Sequence, residues 1–315
     1  MKPLVVITGP TAVGKTELSI KIAKAIDGEI ISADSIQVYK HMDIGSAKIT
    51  KEEMQGIKHY LVDEFEPDEE FNVHVFKEKT LEYMDKIYEA GKIPIIVGGT
   101  GFYIQSVIYD IQFNDEEIDS AYRKELENVA KEKGNDYLHN MLKEVDEESA
   151  LNIHKNNLKR VIRALEFYKN TGEKISTHNE EQSQNISPYN FVYFVLNDKR
   201  ELLYERINKR VDIMFDKGLV NEVKNLLNMG YTKDLVSMNG IGYKEVVDYI
   251  NGKYSLDETK EIIKRETRHF AKRQLTWFRR EKDVTMVNYF DYDSIDDTLK
   301  YMINTLREKD IIKND

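Results

Sequence analysis

Cysteine is absent from this chain of 315 residues. A protein without cysteine has no disulfide framework, no thiolate metal site and no cysteine nucleophile. Its apolar runs are also short, and none approaches the ~20 residues that a helix needs to cross a bilayer. The 7 histidines are scattered without metal-ligand spacing, and residues 1–3 lead straight into an apolar run rather than a signal peptide. These absences predict a cytoplasmic protein with no membrane partner.

The charge balance is acidic. The formal net charge is −10, with 41% hydrophobic and 32% charged residues. This composition is typical of a globular protein, and the length suggests about two domains. An acidic chain is a poor partner for nucleic acid unless its basic residues are concentrated on one face.

A phosphate-binding loop is indicated near the N-terminus. Its residues are Gly9, Pro10, Thr11, Ala12, Val13, Gly14, Lys15 and Thr16, which match G-x-x-x-x-G-K-[ST] at every fixed position. A β-branched apolar run at 4–7 precedes the loop, and helix-like apolar spacing follows at 18–26. In that order, backbone N–H groups and a helix N-terminus attract a di- or triphosphate. Lys15 adds a positive charge, and the Thr16 hydroxyl is placed to hold Mg²⁺.

Two further buried strands are predicted, at residues 29–33 and 93–97. Asp34 and Gln37 follow the first strand, and Thr100 follows the second within a glycine-rich run. Parallel strands bring their carboxyl ends to one edge of a sheet, so we expect these side chains to share a crevice with the phosphate loop. A helix N-cap for Asp34 and a plain tight turn around Thr100 are the alternatives.

A helical insertion is predicted to interrupt the sheet. Residues 112–153 contain twelve acidic and five basic residues with helix-compatible spacing, and the strand pattern returns at 191–196. The fold class is therefore α/β, a P-loop NTPase-like parallel sheet core flanked by helices, with a mostly helical inserted domain. The predicted parts are a discontinuous catalytic core at 1–114 and 189–290, the insertion at 115–188 with a loop at 176–188, and a C-terminal tail or helix at 291–315.

Basic residues are concentrated in two helical stretches. Lys159, Arg160 and Arg163 share one side of a predicted helix whose other side is apolar. Nine residues between 258 and 282 are Lys or Arg, interleaved with aromatic residues such as Trp277. A solvated helix face is the usual explanation of such charges. Interleaved basic and aromatic residues also suit a phosphate backbone with unstacked bases.

The phosphate loop first suggests a kinase. Such an enzyme usually needs a second magnesium-holding Asp and a lid arginine. Asp34 meets the first need, but the strand before Thr100 ends in glycines without an acid, which weakens this hypothesis.

Besides the phosphate loop, the chain contains the runs DSIQVY at 34–39, IGSAK at 44–48, GGTGFY at 98–103, RVIRALE at 160–166, IGYKE at 241–245 and AKRQLTWFR at 271–279. These motifs resemble those of the tRNA dimethylallyltransferase (tRNA isopentenyltransferase) family. They stand in family order over nearly the whole chain. A C-terminal Cys/His zinc finger is absent, as in the bacterial form.

The resemblance implies transfer of a dimethylallyl group from dimethylallyl diphosphate to N6 of the adenosine 3′ to the tRNA anticodon. The products are N6-isopentenyladenosine and diphosphate. It implies that Asp34 accepts the amine proton, that Thr100 orients the base or the diphosphate, and that residues 9–16, Arg210 and Mg²⁺ stabilise the leaving diphosphate. Contacts with the tRNA anticodon stem-loop, made by a monomer, are implied for Asp34, Ser35, Ile36, Gln37, Thr100, Arg123, Lys159, Arg160, Val161, Ile162, Arg163, Asn239, Gly240, Ile241, Gly242, Tyr243, Lys244, Lys272, Arg273, Gln274, Trp277 and Arg279.

Three other functions stay open on the sequence. An isopentenyltransferase acting on free adenine nucleotides would share the crevice but would not need the basic residues of 258–282. A small-molecule P-loop kinase is the second alternative. An RNA-binding P-loop protein without catalysis is the third, and Asp34 and Thr100 at strand ends argue against it.

Overall fold

A computed structural model describes residues 1–112 and 120–313. The chain divides into two compact units. The sheet unit contains Met1–Ile108 and Pro188–Asp315, and the helical unit contains Tyr109–Ser187. Among the described residues, no helix is both long and apolar enough to cross a membrane.

A parallel sheet forms the centre of the sheet unit. Within the described residues it has six strands in the order β3-β2-β4-β1-β5-β6, and every pairing is parallel. The strands are β1 (Lys2–Thr8), β2 (Gly28–Ala33), β3 (His59–Tyr60), β4 (Ile93–Gly98), β5 (Tyr189–Asn197) and β6 (Val284–Asn288). β1 pairs with β4 on one side and β5 on the other, with Ile7 opposite Val97 and Phe194. Strands covered on both faces need continuous apolar runs, which is why four of them could be predicted.

Four helices accompany the first half of the sheet unit. They are α1 (Lys15–Ile26), α2 (Lys51–Met54), α3 (Val73–Glu89) and α4 (Gly101–Ile108). The spacing of apolar residues at 73–89 predicts a helix. α3 confirms it, and Asn72 caps it by accepting hydrogen bonds from the backbone N–H groups of His74 and Val75. Helices α1 and α4 are the next elements along the chain after β1 and β4, so their N-termini lie at the carboxyl edge of the sheet.

The helical unit has its own core. Its helices are α5 (Ser120–Lys133), α6 (Asn135–Val145), α7 (Glu147–Asn152), α8 (Leu158–Thr171) and α9 (Ile175–Ser183). Leu126, Leu138, Leu142, Val161 and Leu165 belong to one cluster of buried side chains.

The prediction of a loop at 176–188 is wrong, because the helix α9 occupies much of that segment. α9 buries none of its residues. Its sequence therefore lacks the apolar stripe from which a helix is predicted. Its first turn is instead held by Asp146, which accepts hydrogen bonds from the backbone N–H and hydroxyl of Ser176 at 3.0 and 2.7 Å.

The remaining helices return to the sheet unit. They are α10 (Arg200–Asp216), α11 (Leu219–Asn228), α12 (Tyr243–Ile250), α13 (Leu256–Phe278) and α14 (Ile295–Glu308). α14 lies in the segment 291–315 that the sequence set apart as a tail or helix. Its residues Met302 and Leu306 are fully buried in the same cluster as Val5 of β1 and Leu18 of α1. The C-terminal segment is therefore part of the sheet unit's core.

Candidate active site

The phosphate loop connects β1 to α1. Gly9 has a φ of 146°, and a Cβ atom there would lie 2.5 Å from the carbonyl oxygen of Leu196. A side chain is thus excluded by a backbone conformation that only glycine adopts easily and by a backbone atom that cannot move aside. Gly14 ends the loop at the N-cap of α1. The loop's N–H groups and the helix N-terminus together form an anion-binding site.

Lys15 lies over the loop that precedes it. Its Nζ donates hydrogen bonds to the carbonyl oxygens of Gly9 and Pro10 at 3.0 and 2.9 Å. Burial and, to a smaller extent, the positive charge of Arg210 lower the pKa of Lys15 to about 8, while Asp34 acts in the opposite direction. Burial also lowers the pKa of Arg210, again against the effect of Asp34. Two cations that repel each other would gain from a bound anion.

Asp34 is fixed through one of its two oxygens. Oδ1 accepts hydrogen bonds from the backbone N–H groups of Ile36 and Gln37 at 2.9 and 3.2 Å, which closes a tight turn after β2. The alternative of a helix N-cap is wrong, because a turn and not a helix follows Asp34. Within the described residues Oδ2 has no hydrogen bond, so it is free to accept a proton.

One cavity brings these groups together. It has a volume of about 60 Å³, and its wall includes Lys15, Thr16, Ser32, Asp34, Gln37 and Gly98. It lies at the carboxyl edge of the sheet, where open α/β folds bind their ligands. The sequence did not identify His59 and Ser32, which also line it. His59 sits on a two-residue strand that gives no periodic signal.

The donor set suits a magnesium ion held mainly by a ligand's phosphate oxygens. Thr16 offers a hydroxyl at the start of α1, exposed at the cavity. No group of three or more His, Cys, Asp or Glu side chains among the described residues could hold a metal on its own. Mg²⁺ typically takes only one or two protein ligands and fills its remaining positions with phosphate and water. The residues present fit that mode of binding.

Thr100 lies beside Asp34 without entering the cavity wall. Its backbone N–H donates a hydrogen bond of 3.3 Å to the carbonyl oxygen of Ala33, the residue before Asp34. Its carbonyl oxygen accepts hydrogen bonds from the backbone N–H groups of Tyr103 and Ile104, so it lies at the N-cap position of α4. Gly98 lines the cavity, whereas Thr100 is not among the described residues of its wall.

Gln274 contacts the phosphate loop. Its Oε1 accepts a hydrogen bond from the Thr11 backbone N–H, and its Nε2 donates to the carbonyl oxygen of Gly99. The residue is only 7% exposed. Its expected contact with tRNA is corrected by this burial, since both ends of the amide already bind the protein's own backbone.

The glycine loop before α12 also differs from its expected role. Asn239 and Lys244 are exposed, and Gly240 and Ile241 are partly so. Tyr243 is fully buried, and its hydroxyl donates a hydrogen bond of 2.8 Å to Glu222. Tyr243 and the buried Gly242 therefore support this loop rather than present a surface to RNA.

A groove of about 760 Å³ lies between α4 and α13. Its lining residues are Gln105, His269, Lys272, Arg273, Thr276, Trp277, Arg280 and Glu281. Three of the residues with an expected tRNA contact, Lys272, Arg273 and Trp277, line this groove, and Arg279 is exposed. The expected basic and aromatic interleaving is thus present on a groove wall.

The five residues of α8 with an expected tRNA contact differ in their exposure. Lys159, Arg160 and Arg163 are exposed on α8. Val161 and Ile162, expected to contact tRNA, are 0% and 5% exposed in the core cluster. Those two expectations are wrong because the helical period turns these side chains inward.

Arg123 is engaged inside the helical unit. Its Nε and Nη2 donate to the two carboxylate oxygens of Glu166 at 2.9 and 2.7 Å. The Glu166 side chain is 4% exposed, so Arg123 neutralises a buried charge. This pairing gives Arg123 a structural role inside the helical unit, and its direct contact with RNA stays a prediction.

The fold and the cavity define a P-loop α/β protein whose phosphate loop opens beside a carboxylate at the sheet edge. A family model described as IPP transferase matches residues 37–281. The tRNA dimethylallyltransferase of Lachnoclostridium phytofermentans is 60% identical over 313 residues, which is 99% of this chain and 100% of that protein. The chain belongs to the IPP transferase family.

Solved structures agree with this membership. A tRNA isopentenylpyrophosphate transferase from Bacillus halodurans matches with a TM-score of 0.74 at 43% identity, covering 98% of each chain. A eukaryotic dimethylallyltransferase acting on tRNA gives a TM-score of 0.83 at 28% identity, covering 98% of this chain and 80% of its own. These matches confirm the family and the α/β fold class predicted from the motifs, and they confirm the chain as a transferase.

Proposed function

We propose that this protein transfers a dimethylallyl group from dimethylallyl diphosphate to N6 of the adenosine 3′ to the anticodon of tRNA. The observation that carries the proposal is the single cavity in which Lys15, Thr16 and Asp34 meet. A diphosphate-binding loop and a carboxylate with one free oxygen are the two groups that this reaction needs. The names of the relatives supply tRNA as the acceptor and dimethylallyl as the transferred group, and the N6 position is the one that the motif resemblance implies.

The reaction replaces a C–O bond with a C–N bond. The N6 lone pair attacks C1 of the dimethylallyl group, the bond from C1 to diphosphate breaks, and the diphosphate leaves with the electron pair. Negative charge grows on the diphosphate as the bond breaks. Lys15, Arg210 and the loop N–H groups stabilise that charge, because they are fixed before the reaction begins.

The attacking amine must lose one proton. The Asp34 carboxylate takes it on Oδ2, while Oδ1 keeps its two backbone hydrogen bonds and holds the side chain still. Thr100 follows β4 beside the residue that precedes Asp34, and we assign it the orientation of the incoming base. A bound Mg²⁺, held at Thr16 and on the diphosphate, would neutralise leaving-group charge.

The basic surfaces of both units suit an RNA partner. Lys159, Arg160 and Arg163 on α8 and the groove of α13 carry exposed positive charge in a chain of net charge −10. We propose that each contacts the anticodon stem-loop, largely through phosphates. The target adenine must leave its stack to reach the cavity, as enzymes acting on bases generally require.

The test is transfer of radiolabelled dimethylallyl diphosphate to unmodified tRNA. The wild-type protein is compared with Asp34→Asn and with Asp216→Asn, a control at the exposed end of α10. We expect label in tRNA for the wild type and the control, and a loss of about 100-fold or more for Asp34→Asn. Label only in AMP would shift the acceptor to free nucleotides. No transfer, with ATP hydrolysed instead, would replace the proposal with a kinase.

A further inference from the structure

Glu222 of α11 accepts four hydrogen bonds. Its Oε2 accepts from the backbone N–H groups of Asp43 and Ile44 at 3.0 and 2.6 Å, and its Oε1 accepts from that of Gly45 at 3.0 Å. The Tyr243 hydroxyl is the fourth donor, 2.8 Å from Oε1. Three successive backbone N–H groups that converge on one anion form a nest, and the charge strengthens each bond. Glu222 therefore holds residues 43–45 in place, which form the start of the loop at 43–47.

The donor from α12 stays protonated. Burial raises the pKa of Tyr243 well above its usual value, and the nearby Glu222 carboxylate raises it further. A neutral hydroxyl between α11 and α12 can only strengthen the hold of Glu222 on the loop. The hydrogen bond from Tyr243 therefore holds the Glu222 side chain in the position in which it binds the loop.

The other end of the same loop, at residues 46 and 47, binds the side chain of Gln37. Nε2 of Gln37 donates hydrogen bonds of 3.2 Å to the carbonyl oxygens of both Ser46 and Ala47. The backbone N–H of Gln37 in turn donates to Oδ1 of Asp34. Gln37 and Asp34 both line the cavity, whereas Glu222 is not among the described residues of its wall. Glu222 can reach the reaction only through the loop.

We propose that Glu222 is a positioning residue, which orients the Asp34 carboxylate by holding residues 43–47 and thereby the Gln37 side chain. This inference rests on the proposed role of Asp34 as the base. It distinguishes Glu222 from a residue that merely stabilises the fold, because its effect on turnover must pass through Gln37.

The Glu222→Gln variant tests the idea with little change in size. The amide keeps one acceptor oxygen, but its NH₂ group faces N–H or O–H donors that then lack a partner. The phosphate loop is untouched, so the KM for dimethylallyl diphosphate should stay within about twofold of wild type. A displaced base should lower kcat by about 10- to 100-fold.

A double-mutant cycle gives the decisive readout. We would measure kcat at saturating tRNA and dimethylallyl diphosphate for the wild type, Glu222→Gln, Gln37→Ala and the double variant. Glu89→Gln, at the exposed end of α3, is the control. Because both changes remove the same support, the double variant should be no slower than the slower single variant. If Glu222→Gln does not fold, Tyr243→Phe replaces it in the cycle, since it removes one of the four bonds.

The outcomes separate the two proposals. If wild type and Glu89→Gln transfer the prenyl group and Glu222→Gln transfers it equally fast, the positioning role is wrong. If the fold-losses in kcat of the two single variants multiply in the double variant, the positioning role is also wrong, because the two residues then act independently. If the wild-type protein itself transfers nothing to tRNA, the proposed function fails first.

Discussion

The backbone N–H of Thr11 donates a hydrogen bond of 2.9 Å to Oε1 of Gln274, although 263 positions separate the two residues. The same amide donates from Nε2 to the carbonyl oxygen of Gly99 at 3.0 Å. One buried side chain of α13 thus joins the phosphate loop to the glycine run before Thr100. Through Gln274, α13 links the residues that follow β1 to those that follow β4 at the candidate active site. Other residues of α13 line the basic groove.

Gln274→Glu should weaken diphosphate binding and stability together. The new carboxylate places an oxygen opposite the Gly99 carbonyl oxygen and adds negative charge beside the phosphate loop. We expect a loss of about 1–3 kcal/mol in unfolding free energy and a higher KM for dimethylallyl diphosphate. Urea unfolding and steady-state kinetics measure the two effects.

Two comparison variants separate charge from packing. Gln274→Met removes both hydrogen bonds without adding charge, so it should lose stability but raise KM less than Gln274→Glu. Arg265→Gln, exposed on the same helix, should change neither quantity. An unchanged KM in Gln274→Glu would show that the link does not shape the phosphate loop.

Much of the fold could be predicted because its signals are local. The phosphate loop is a contiguous motif, and the strands β1, β2, β4 and β5 are apolar runs that burial on both faces requires. The helix at 73–89 has a regular apolar stripe and a capping Asn72. Asp34 could be placed at the site because the carboxyl ends of parallel strands share one edge.

Other features depend on contacts between distant residues. The strands β3 and β6 lie at the sheet edges and have weak or very short patterns. Motif matching assigned Gln274 and Tyr243 to RNA, yet their partners Thr11, Gly99 and Glu222 lie far away in the sequence. A motif identifies which residues matter together but does not say which of them support the site and which touch the substrate.

Gly101→Ala should disturb the Trp277 side chain. A Cβ atom on Gly101, the first residue of α4, would lie 2.2 Å from Nε1 and 2.3 Å from Cδ1 of Trp277. The indole must move, at a cost of about 1–3 kcal/mol in unfolding free energy. Trp277 is the chain's one tryptophan, so its fluorescence should shift in the folded variant. Urea unfolding followed by far-UV circular dichroism measures the stability.

A compensating variant checks the cause of that loss. Trp277→Leu leaves room for the new methyl group, so the double variant should lose less stability than the sum of the two single variants. Gly240→Ala is the comparison variant and should lose less stability than Gly101→Ala, because its Cβ would have its nearest neighbours at 3.3 Å instead of 2.2 Å. Purely additive losses would mean that Gly101 is needed for another reason.

RNA binding should weaken as the pH rises through 7. Burial raises the pKa of Glu281 to about 7, and Trp277 beside it acts in the opposite direction. Below pH 7 the carboxyl is neutral, and the groove's Lys272 and Arg280 attract phosphates unopposed. Above pH 7 it is charged and offsets part of that attraction, by about two- to fivefold in affinity. Titrations of an anticodon stem-loop at pH 6 and pH 8 measure the change.

Glu281→Gln should bind equally well at both pH values and as tightly as the wild type does at pH 6. His269 lines the same groove, so His269→Gln is the necessary comparison. If His269→Gln removes the pH dependence and Glu281→Gln keeps it, the carboxyl is not its source.

Arg123 and Lys159 should respond in opposite ways to replacement by alanine. Arg123→Ala leaves the Glu166 carboxylate buried without its partner, which should cost about 1–3 kcal/mol in unfolding free energy. Lys159→Ala removes an exposed charge, so its stability should stay within about 0.5 kcal/mol of wild type. Its RNA affinity should fall, and its salt dependence should flatten by about one counterion. Urea unfolding and stem-loop binding at several salt concentrations test both variants. If Arg123→Ala stays stable but binds RNA poorly, the role of Arg123 is a direct contact with RNA.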